Sequence, residues 1–240
     1  MTELELQVLT GPRAVATGAR EHVLVVLGGT CDVVFAGGPR FRGLGARADV
    51  FDGPATAVYA PVDTEFEVTG TGFVAALVSA PGRVHRAPYV VTPADVVVQR
   101  RGEGAWAREV HDVVGENLPA DRLLVGETFS GDGVWSSYPP HRHDRHDPPH
   151  EVEHREVFLV RVSPASGFAV FLRYPDDDAP ERAEVVHDGD VVAVDDGFHS
   201  FAVAAGHRLY YLWALAGPDR HLGFRTDRRH AWLLESASDG

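Results

Sequence analysis

The chain contains no lysine, because all 22 of its Lys+Arg residues are arginine. Without a lysine amine, no imine can form with a carbonyl substrate or with pyridoxal phosphate, which excludes Schiff-base aldolases and isomerases. The lysine of a phosphate-binding P-loop is missing as well, which excludes P-loop kinases and ATPases. Carbonyl chemistry in this protein therefore requires a metal ion or ordinary acid and base side chains.

Positive charge, cysteine and long apolar runs are also scarce. The 240 residues carry a formal net charge of −13, and nucleic-acid affinity depends on clustered basic residues, so we expect no nucleic-acid partner. The single cysteine, Cys31, lies in an apolar stretch, which favours a buried, inert thiol in a reducing compartment. The apolar run at 209–217 is far shorter than the ~20 residues of a membrane helix, and the first residues are acidic where a signal peptide is basic. We therefore expect a cytoplasmic protein that makes no membrane contact.

Short runs of valine, leucine and aromatic residues alternate with glycine, proline and aspartate along the whole chain. With 25 Gly, 16 Pro and no convincing helical periodicity, this pattern predicts an all-β protein built from sandwiches or barrels. The predicted strands lie at 22–27, 31–35, 55–60, 65–70, 73–79, 122–129, 155–162, 167–174, 183–197, 200–205 and 207–217. The polar, turn-rich stretch 113–122 predicts a boundary between an N-terminal domain, 1–115, and a C-terminal domain, 116–240.

Five of the thirteen histidines fall within fourteen residues, at positions 141, 143, 146, 150 and 154. His141 and His143 are spaced i and i+2, so in a strand they project from the same face. Glu156 opens the next predicted strand, and His199 follows a tight turn about forty residues later. Three imidazoles and one carboxylate suit one divalent ion, such as zinc, manganese or iron. The alternative interpretation is a solvated polar loop, and we apply it to the other three histidines as surface or lid residues: His146, His150 and His154.

These four candidate ligands resemble the metal-binding pattern of cupin barrels, and the surrounding sequence resembles one family in particular. The segment WSSYPPHRHD at 135–144 is similar to the signature of 5-deoxy-glucuronate isomerases, bicupin enzymes of bacterial myo-inositol catabolism. Weaker segments follow the order of that family from about residue 20 to residue 220, among them 48–61 and 91–114. The resemblance implies a bicupin fold of two jelly-roll barrels, with the metal in the C-terminal barrel. The N-terminal half contains no His–x–His pair, so we expect it to bind no metal.

The resemblance further implies an aldose–ketose isomerisation that converts 5-deoxy-D-glucuronate to 5-dehydro-2-deoxy-D-gluconate. A bound metal ion would polarise the carbonyl group of the substrate. Glu156 is the candidate base, and Tyr138, Tyr210 or Tyr211 could relay a proton on an oxygen. Tyr210 and Tyr211 face opposite ways in an alternating strand, so we expect at most one of them to reach the cavity.

The carboxylate of such a substrate needs a cation, and in a lysine-free chain the cation is arginine. Arg173 and Arg208 lie on predicted strands of the metal-binding barrel and are the candidates for this role. Arg142 lies between two ligands and, by alternation, points away from the ion. The arginines of segment 100–108 either join the two barrels or reach the site.

Several positions depart from the pattern of the family. Ala105 and Trp213 stand where an asparagine is usual, and Phe171 or Leu172 stands where a polar residue is usual. Because apolar side chains reject hydroxyl groups that an amide would bind, the substrate is open to an alternative uronate-like sugar acid. The same ligand set also suits a metal-dependent cupin oxygenase or a non-catalytic sugar-acid-binding protein. Exposed strand edges are compatible with a homo-oligomer.

Overall fold

A computed structural model describes residues 4–175 and 180–236 of the chain. This part of the chain forms twenty strands, two 3₁₀ turns (Val50–Asp52 and Gly104–Trp106) and one short helix, α1 (Trp232–Ser236). The predicted all-β class is confirmed. Among the described residues, no helix has the length and apolar character needed to cross a membrane.

The chain forms two compact units whose segments interleave. Within the described residues, the first unit comprises 4–97, 111–126 and 214–216, and the second comprises 98–110, 127–213 and 217–236. The assignment of 1–115 and 116–240 to two folding domains stays a prediction.

The first unit contains two antiparallel sheets, ordered β1-β8-β3-β6-β9 and β2-β7-β4-β5. Strands β4 and β7 alternate between buried and more exposed residues, as expected of sheets with one face in a core. The core contains Leu24 and Leu77 from the first sheet, and Val33 and Phe66 from the second. The nine strands are β1 (Glu5–Leu9), β2 (Arg13–Ala16), β3 (Arg20–Gly28), β4 (Cys31–Phe35), β5 (Arg40–Leu44), β6 (Thr56–Ala60), β7 (Glu65–Thr69), β8 (Val74–Pro81) and β9 (Tyr89–Val91).

Cys31 lies in this core, and burial, with a smaller contribution from the charge of Asp32, raises the pKa of its thiol to about 11. A thiol that stays protonated at neutral pH is a poor nucleophile, so the prediction of a buried, inert cysteine is confirmed.

The first unit also buries a carboxylate, that of Glu21 on β3. Glu21 accepts a hydrogen bond from the hydroxyl of Tyr59 at 2.8 Å. It also accepts hydrogen bonds of 2.6–2.7 Å from three consecutive main-chain N–H groups, those of Asp121, Arg122 and Leu123. A buried charge is stable only when it is hydrogen-bonded in this way, so Glu21 fixes the segment 121–123 within its own unit.

The second unit contains a six-stranded sheet, ordered β10-β11-β12-β19-β14-β17, and a five-stranded sheet, ordered β16-β15-β18-β13-β20. Its strands are β10 (Val97–Arg101), β11 (Arg108–Val114), β12 (Leu123–Ser130), β13 (Trp135–Arg142), β14 (Arg155–Ser163), β15 (Phe168–Tyr174), β16 (Arg182–His187), β17 (Val191–Val194), β18 (Phe198–Val203), β19 (Arg208–Ala216) and β20 (Arg225–Thr226). Four of them, β10, β11, β12 and β19, include residues that belong to segments of the first unit.

An aromatic cluster fills the interior of the second unit, formed by Phe158, Phe171, Phe201 and Tyr211. The ring centroids of neighbouring members are 4.8–6.2 Å apart, in tilted, stacked and edge-to-face arrangements. His199 contacts this cluster, with its ring centroid 5.9 Å from that of Phe158. The apolar packing of four strands therefore fixes the position of His199.

Candidate metal centre

Three of the four predicted ligands converge to a single point. The ligand atoms of His143, Glu156 and His199 all lie within 4.8 Å of one another, and all three side chains are buried. The Nε2 atoms of His143 and His199 lie 2.9 Å and 3.2 Å from the same carboxylate oxygen, Oε2 of Glu156. His143 directly follows β13, Glu156 lies at the start of β14, and His199 lies near the start of β18.

His141, the fourth predicted ligand, lies beside this group rather than within it. It is the direct register partner of His199 across the β13–β18 pair. Its ring centroid is 4.8 Å from that of His199 and 6.3 Å from that of His143. The structure thus gathers all four predicted ligands in one place, with His141 at ring-contact distance.

The three histidines share one orientation, in which Nδ1 lies near a main-chain carbonyl oxygen. The distances are 3.4 Å for His141, 3.1 Å for His143 and 3.3 Å for His199. The three acceptors are the carbonyls of Pro139, His154 and Gly197. Because a carbonyl oxygen can only accept, Nδ1 carries the proton and Nε2 presents its lone pair. This is the arrangement in which histidine binds metals in proteins.

The contacts around Glu156 test whether these residues fit a metal ion. Two imidazole lone pairs directed at one carboxylate oxygen repel it unless a cation lies among them. Within the described part of the chain, Nε2 of His199 has no hydrogen-bond partner of acceptable geometry. A proton on His143 satisfies one of the two contacts with Glu156, whereas a divalent cation would satisfy both. The donor set therefore fits a divalent metal.

The electrostatics of the group agree with this interpretation. Burial alone would raise the pKa of Glu156, but its contacts with the imidazoles of His143 and His199 lower it to about 2. Burial would lower the pKa of His143, but the hydrogen bond and the negative charge of Glu156 raise it. The pKa of His141 is lowered well below its usual value by burial, and further by His199 and His143. Glu156 is thus ionised and His141 neutral, the forms that bind metals.

A buried ion pair supports the loop that carries His143. Glu151 accepts hydrogen bonds from the main-chain N–H groups of Asp144 and Arg145, at 3.1 Å and 3.0 Å, and contacts the Nε of Arg142 at 3.3 Å. Arg142 is only 2% exposed and stacks over the ring of Phe198. These contacts give Arg142 a structural role.

A second contact joins this loop to the turn before His199. The carboxylate of Asp144 accepts a hydrogen bond of 2.6 Å from the N–H of Gly197. Gly197 has a φ of +84°, and a Cβ there would lie 2.7 Å from the carbonyl oxygen of Tyr174, so the turn requires glycine. The segments before His199 and after His143 are therefore held together independently of any metal.

His154 is not a surface or lid residue, so that prediction is wrong. It is only 1% exposed, and its Nδ1 and Nε2 lie 3.1 Å and 2.9 Å from the carbonyl oxygens of Val152 and Asp219. The absence of a side chain at Gly217 allows the main chain at Glu153 to approach closely, which buries the following histidine. His146 and His150 are exposed, as predicted.

The two tyrosines of β19 point to opposite faces, as their spacing predicts. The hydroxyl of Tyr210 donates to Glu127 at 2.8 Å. The hydroxyl of Tyr211 lies 2.7 Å from Oγ of Ser136 and 3.0 Å from Oγ of Ser137. Ser137 has a φ of +51°, an uncommon conformation for a residue with a side chain. Tyr211, and not Tyr210, belongs to the aromatic cluster next to His199.

Tyr138 and the two arginines predicted to bind substrate lie nearer the surface. Tyr138 is half-buried, with its ring against Trp135 and His230. Arg173 is the register partner of His199 across the β15–β18 pair, and its Nη2 lies 3.2 Å from Glu184. Arg208 is exposed at the start of β19.

No sequence pattern predicts the position of Phe224, whose ring centroid is 5.0 Å from that of His141 and 5.7 Å from that of His143. Of the positions that depart from the family pattern, Phe171 is fully buried, 6.3 Å from His199 between ring centroids, and Leu172 is half-buried and pairs with Ser200 across the β15–β18 pair. Trp213 is buried, and Ala105 is exposed in a 3₁₀ turn. Phe171 is therefore the departure placed to affect the site.

Comparison with solved structures identifies the fold. Oxalate decarboxylase from Lactobacillus farciminis superimposes with a TM-score of 0.61 at 10% identity, covering 95% of this chain and 80% of that one. The shared architecture is the bicupin fold, as predicted.

The chain belongs to the KduI/IolB family, whose model matches residues 7–233. A relative from Geobacillus thermodenitrificans, named 5-deoxy-glucuronate isomerase, is 39% identical over 219 residues, which are 90% of this chain and 80% of the relative. The crystal structure of an IolB-like protein from Salmonella typhimurium superimposes with a TM-score of 0.92 at 33% identity, covering 97% of this chain and 90% of that one.

Proposed function

We propose that this protein is a metal-dependent isomerase that converts 5-deoxy-D-glucuronate to 5-dehydro-2-deoxy-D-gluconate in inositol catabolism. The observation that carries the proposal is the convergence of His143 and His199 on one oxygen of Glu156, in a chain whose relatives are named for this activity. His141 completes the proposed ligand set for one zinc, manganese or iron ion.

The reaction moves hydrogen between two adjacent carbons and needs no external oxidant. A proton leaves C2 of the substrate and a proton is added to C1, while the C1 aldehyde becomes a hydroxymethyl group and the C2 hydroxyl becomes a ketone. The metal ion, when bound, supplies Lewis-acid polarisation of the carbonyl oxygen. In Schiff-base enzymes, a lysine that forms an imine activates the carbonyl group instead.

Glu156 is our candidate for carrying the proton between the two carbons. It is ionised, and the two histidines contact Oε2, which leaves Oε1 for the proton. Tyr211 is our first candidate for moving a proton on a substrate oxygen, since Ser136 and Ser137 hold its hydroxyl in place. Tyr138, at the more exposed side, is the second candidate. Arg173 and Arg208 are the arginines that the sequence predicts for the substrate carboxylate.

An anaerobic assay with metal-loaded protein tests the proposal. We expect 5-deoxy-D-glucuronate to be converted to a ketose of the same mass without dioxygen. Treatment with a chelator should abolish the conversion, and one equivalent of a divalent metal should restore it. Dioxygen consumption with a change in mass would identify an oxygenase instead. Tight binding of the sugar acid without conversion would identify a binding protein.

Phe171 bears on the choice of substrate within this function. Its ring contacts His199, at one of the two positions, 171 or 172, where a polar residue is usual in the family, and an apolar wall favours a substrate carbon that carries no hydroxyl, as in the 5-deoxy acid. The alternative is an isomerase for a different uronate-like acid. Comparing kcat/KM for D-glucuronate and 5-deoxy-D-glucuronate would show whether the deoxy substrate is preferred. A cytoplasmic location and a homo-oligomeric state stay predictions.

A further inference from the structure

Arg108, the first residue of β11, presents a guanidinium group that has no carboxylate partner among the described residues. It is half-buried, and only its Nη1 is engaged, donating to the carbonyl oxygens of Tyr138 at 3.0 Å and Trp106 at 3.4 Å. The neighbouring Glu109 pairs with Arg100 instead. No acidic side chain in residues 4–175 and 180–234 forms an ion pair with Arg108. Its Nε and Nη2 therefore remain available to a ligand.

The position of Arg108 is close to the candidate metal centre. One of the two carbonyl oxygens to which it donates belongs to Tyr138, three residues before His141 on β13. Its charge contributes to the lowered pKa of His141. Burial lowers the pKa of Arg108 itself, and Tyr211 partly opposes that effect. Arg108 thus lies within electrostatic range of a candidate ligand and of a candidate proton donor.

A second arginine increases the positive charge at this place. Beyond the effect of burial, the charge of Arg101 on the adjacent strand β10 lowers the pKa of Arg108 further. Arg101 donates a hydrogen bond of 3.1 Å to the side-chain oxygen of Gln99, a neutral group. Two neighbouring guanidinium groups without a carboxylate repel each other, and an anion bound between them would relieve this repulsion.

Other arginines of the same unit are already paired. Arg142 pairs with Glu151, Arg161 pairs with Asp188 at 2.7 Å, and Arg173 pairs with Glu184 at 3.2 Å. An incoming carboxylate has to displace an existing partner from each of these, but not from Arg108. Among these four arginines, Arg108 is therefore the one best prepared to receive it.

We propose that Arg108 binds the carboxylate of the sugar-acid substrate through its Nε and Nη2 groups, with Arg101 adding positive charge. This inference rests on the proposed function and adds a substrate-binding residue to it. A guanidinium fork that receives two carboxylate oxygens fixes the far end of the substrate, which positions the C1 and C2 carbons at the metal centre.

The test compares an acid with its neutral analogue. We would measure kcat/KM for 5-deoxy-D-glucuronate and for 5-deoxy-D-glucose, in which a hydroxymethyl group replaces the carboxyl group. The variants are Arg108→Gln, the competing candidate Arg173→Gln, and Arg161→Gln as a control, whose ion pair with Asp188 lies on the face of β14 opposite to Glu156 and Phe158. Arg108→Gln should lower kcat/KM for the acid by about 10- to 100-fold, mainly through KM, and leave the neutral analogue within about 2-fold.

Three results would overturn the inference while leaving the proposed function intact: equal losses on both substrates, no loss on the acid, or an acid-selective loss in Arg173→Gln alone. Metal content and melting temperature would show whether Arg108→Gln is folded. If it is not, Arg108→Lys keeps the charge but loses the fork, and it should show a smaller loss that is still selective for the acid.

If the wild-type protein converts neither substrate, the proposed function fails and calorimetry decides the inference separately. Wild type should then bind D-glucuronate more tightly than D-glucose, and Arg108→Gln should lose this preference. Equal binding of the two sugars by wild type, or no detectable binding of D-glucuronate, overturns the inference.

Discussion

His143 and His154 hold each other through two reciprocal hydrogen bonds. The main-chain N–H of His154 donates to the carbonyl oxygen of His143 at 2.7 Å, and Nδ1 of His143 donates to the carbonyl oxygen of His154 at 3.1 Å. These bonds hold the end of β13 against the residue that precedes β14, and Nε2 of His143 points at Glu156. Such outer contacts orient a ligand before the metal arrives, which raises metal affinity.

The first prediction concerns His143 itself. His143→Ala removes the imidazole nearest Glu156, so we expect less than one metal ion per chain and a loss of isomerase activity of about 100-fold or more. Metal analysis and initial rates measure both. His146→Ala, which changes an exposed histidine of the same loop, is the matched control and should behave like wild type. Full metal content and activity in His143→Ala would show that the metal centre is assigned to the wrong residues.

The second prediction concerns the carboxylate of Glu151. Glu151→Ala leaves Arg142 buried without this partner and frees the N–H groups of Asp144 and Arg145. Breaking a buried ion pair in this way costs about 3–5 kcal/mol, so the free energy of unfolding in urea should fall by that order. Glu153→Ala, at an exposed position two residues along, should cost less than about 0.5 kcal/mol. Equal effects of the two substitutions would contradict the supporting role of Glu151.

The third prediction separates steric crowding from backbone conformation. Gly197 and Gly189 both have positive φ angles, +84° and +91°, but a Cβ is blocked by Tyr174 only at Gly197. Gly189→Ala should cost about 1 kcal/mol of stability from conformation alone, whereas Gly197→Ala should cost several times more and reduce metal affinity. Melting temperature and metal titration measure the difference. Equal melting temperatures of Gly189→Ala and Gly197→Ala would contradict steric crowding at Gly197.

The fourth prediction is a pH dependence of stability in the first unit. The pKa of His22 is lowered from 6.5 to about 4, mainly by burial; a main-chain hydrogen bond with Arg20 opposes the shift, and the charge of Arg20 adds to it. The unfolded chain therefore binds the proton first as the pH falls. The stability due to neutral His22 is complete above pH 6.5 and is lost between pH 6.5 and 4, by about 3 kcal/mol in all.

The His22→Gln variant provides the reference for this measurement, because its side chain does not titrate. The free energy of unfolding of wild type, minus that of the variant, should fall across the interval from pH 6.5 to 4. A difference that stays constant with pH would show that His22 is not responsible.

The strands that the sequence predicts best are those with one face in a core. In β4 and β7, apolar residues alternate with polar ones because the pleat sends every second side chain inward. Among the strands missing from the prediction, β2, β5 and β10 are mostly exposed, whereas β11 and β13 are mostly buried. An exposed strand is held by main-chain hydrogen bonds to its neighbour, which any sequence can form. Its amino-acid composition therefore gives little indication that the segment is a strand.

Only part of the candidate site can be predicted from the sequence, because only some of its residues lie close together along the chain. His141, His143 and Glu156 are close in sequence, and spacing alone predicts that they meet. Phe224 comes from a distant segment and carries no local pattern that links it to the metal centre. For Arg108, the sequence leaves open whether it joins the two barrels or reaches the site. The prediction for His154 is wrong because a histidine in a polar stretch resembles its exposed neighbours, and its burial depends on a glycine more than sixty residues further along the chain.

The buried carboxylate of Glu21 determines where the chain can be cut. A fragment ending at residue 115 keeps every strand from β1 to β11. It loses, however, the three main-chain N–H groups at 121–123 that donate hydrogen bonds to the carboxylate of Glu21. Such a fragment would expose an unsatisfied anion inside its own core, so truncation at the predicted turn yields an unstable product. A usable N-terminal fragment has to run past Leu123, and a library of shortened chains should show an abrupt gain in soluble expression between those two end points.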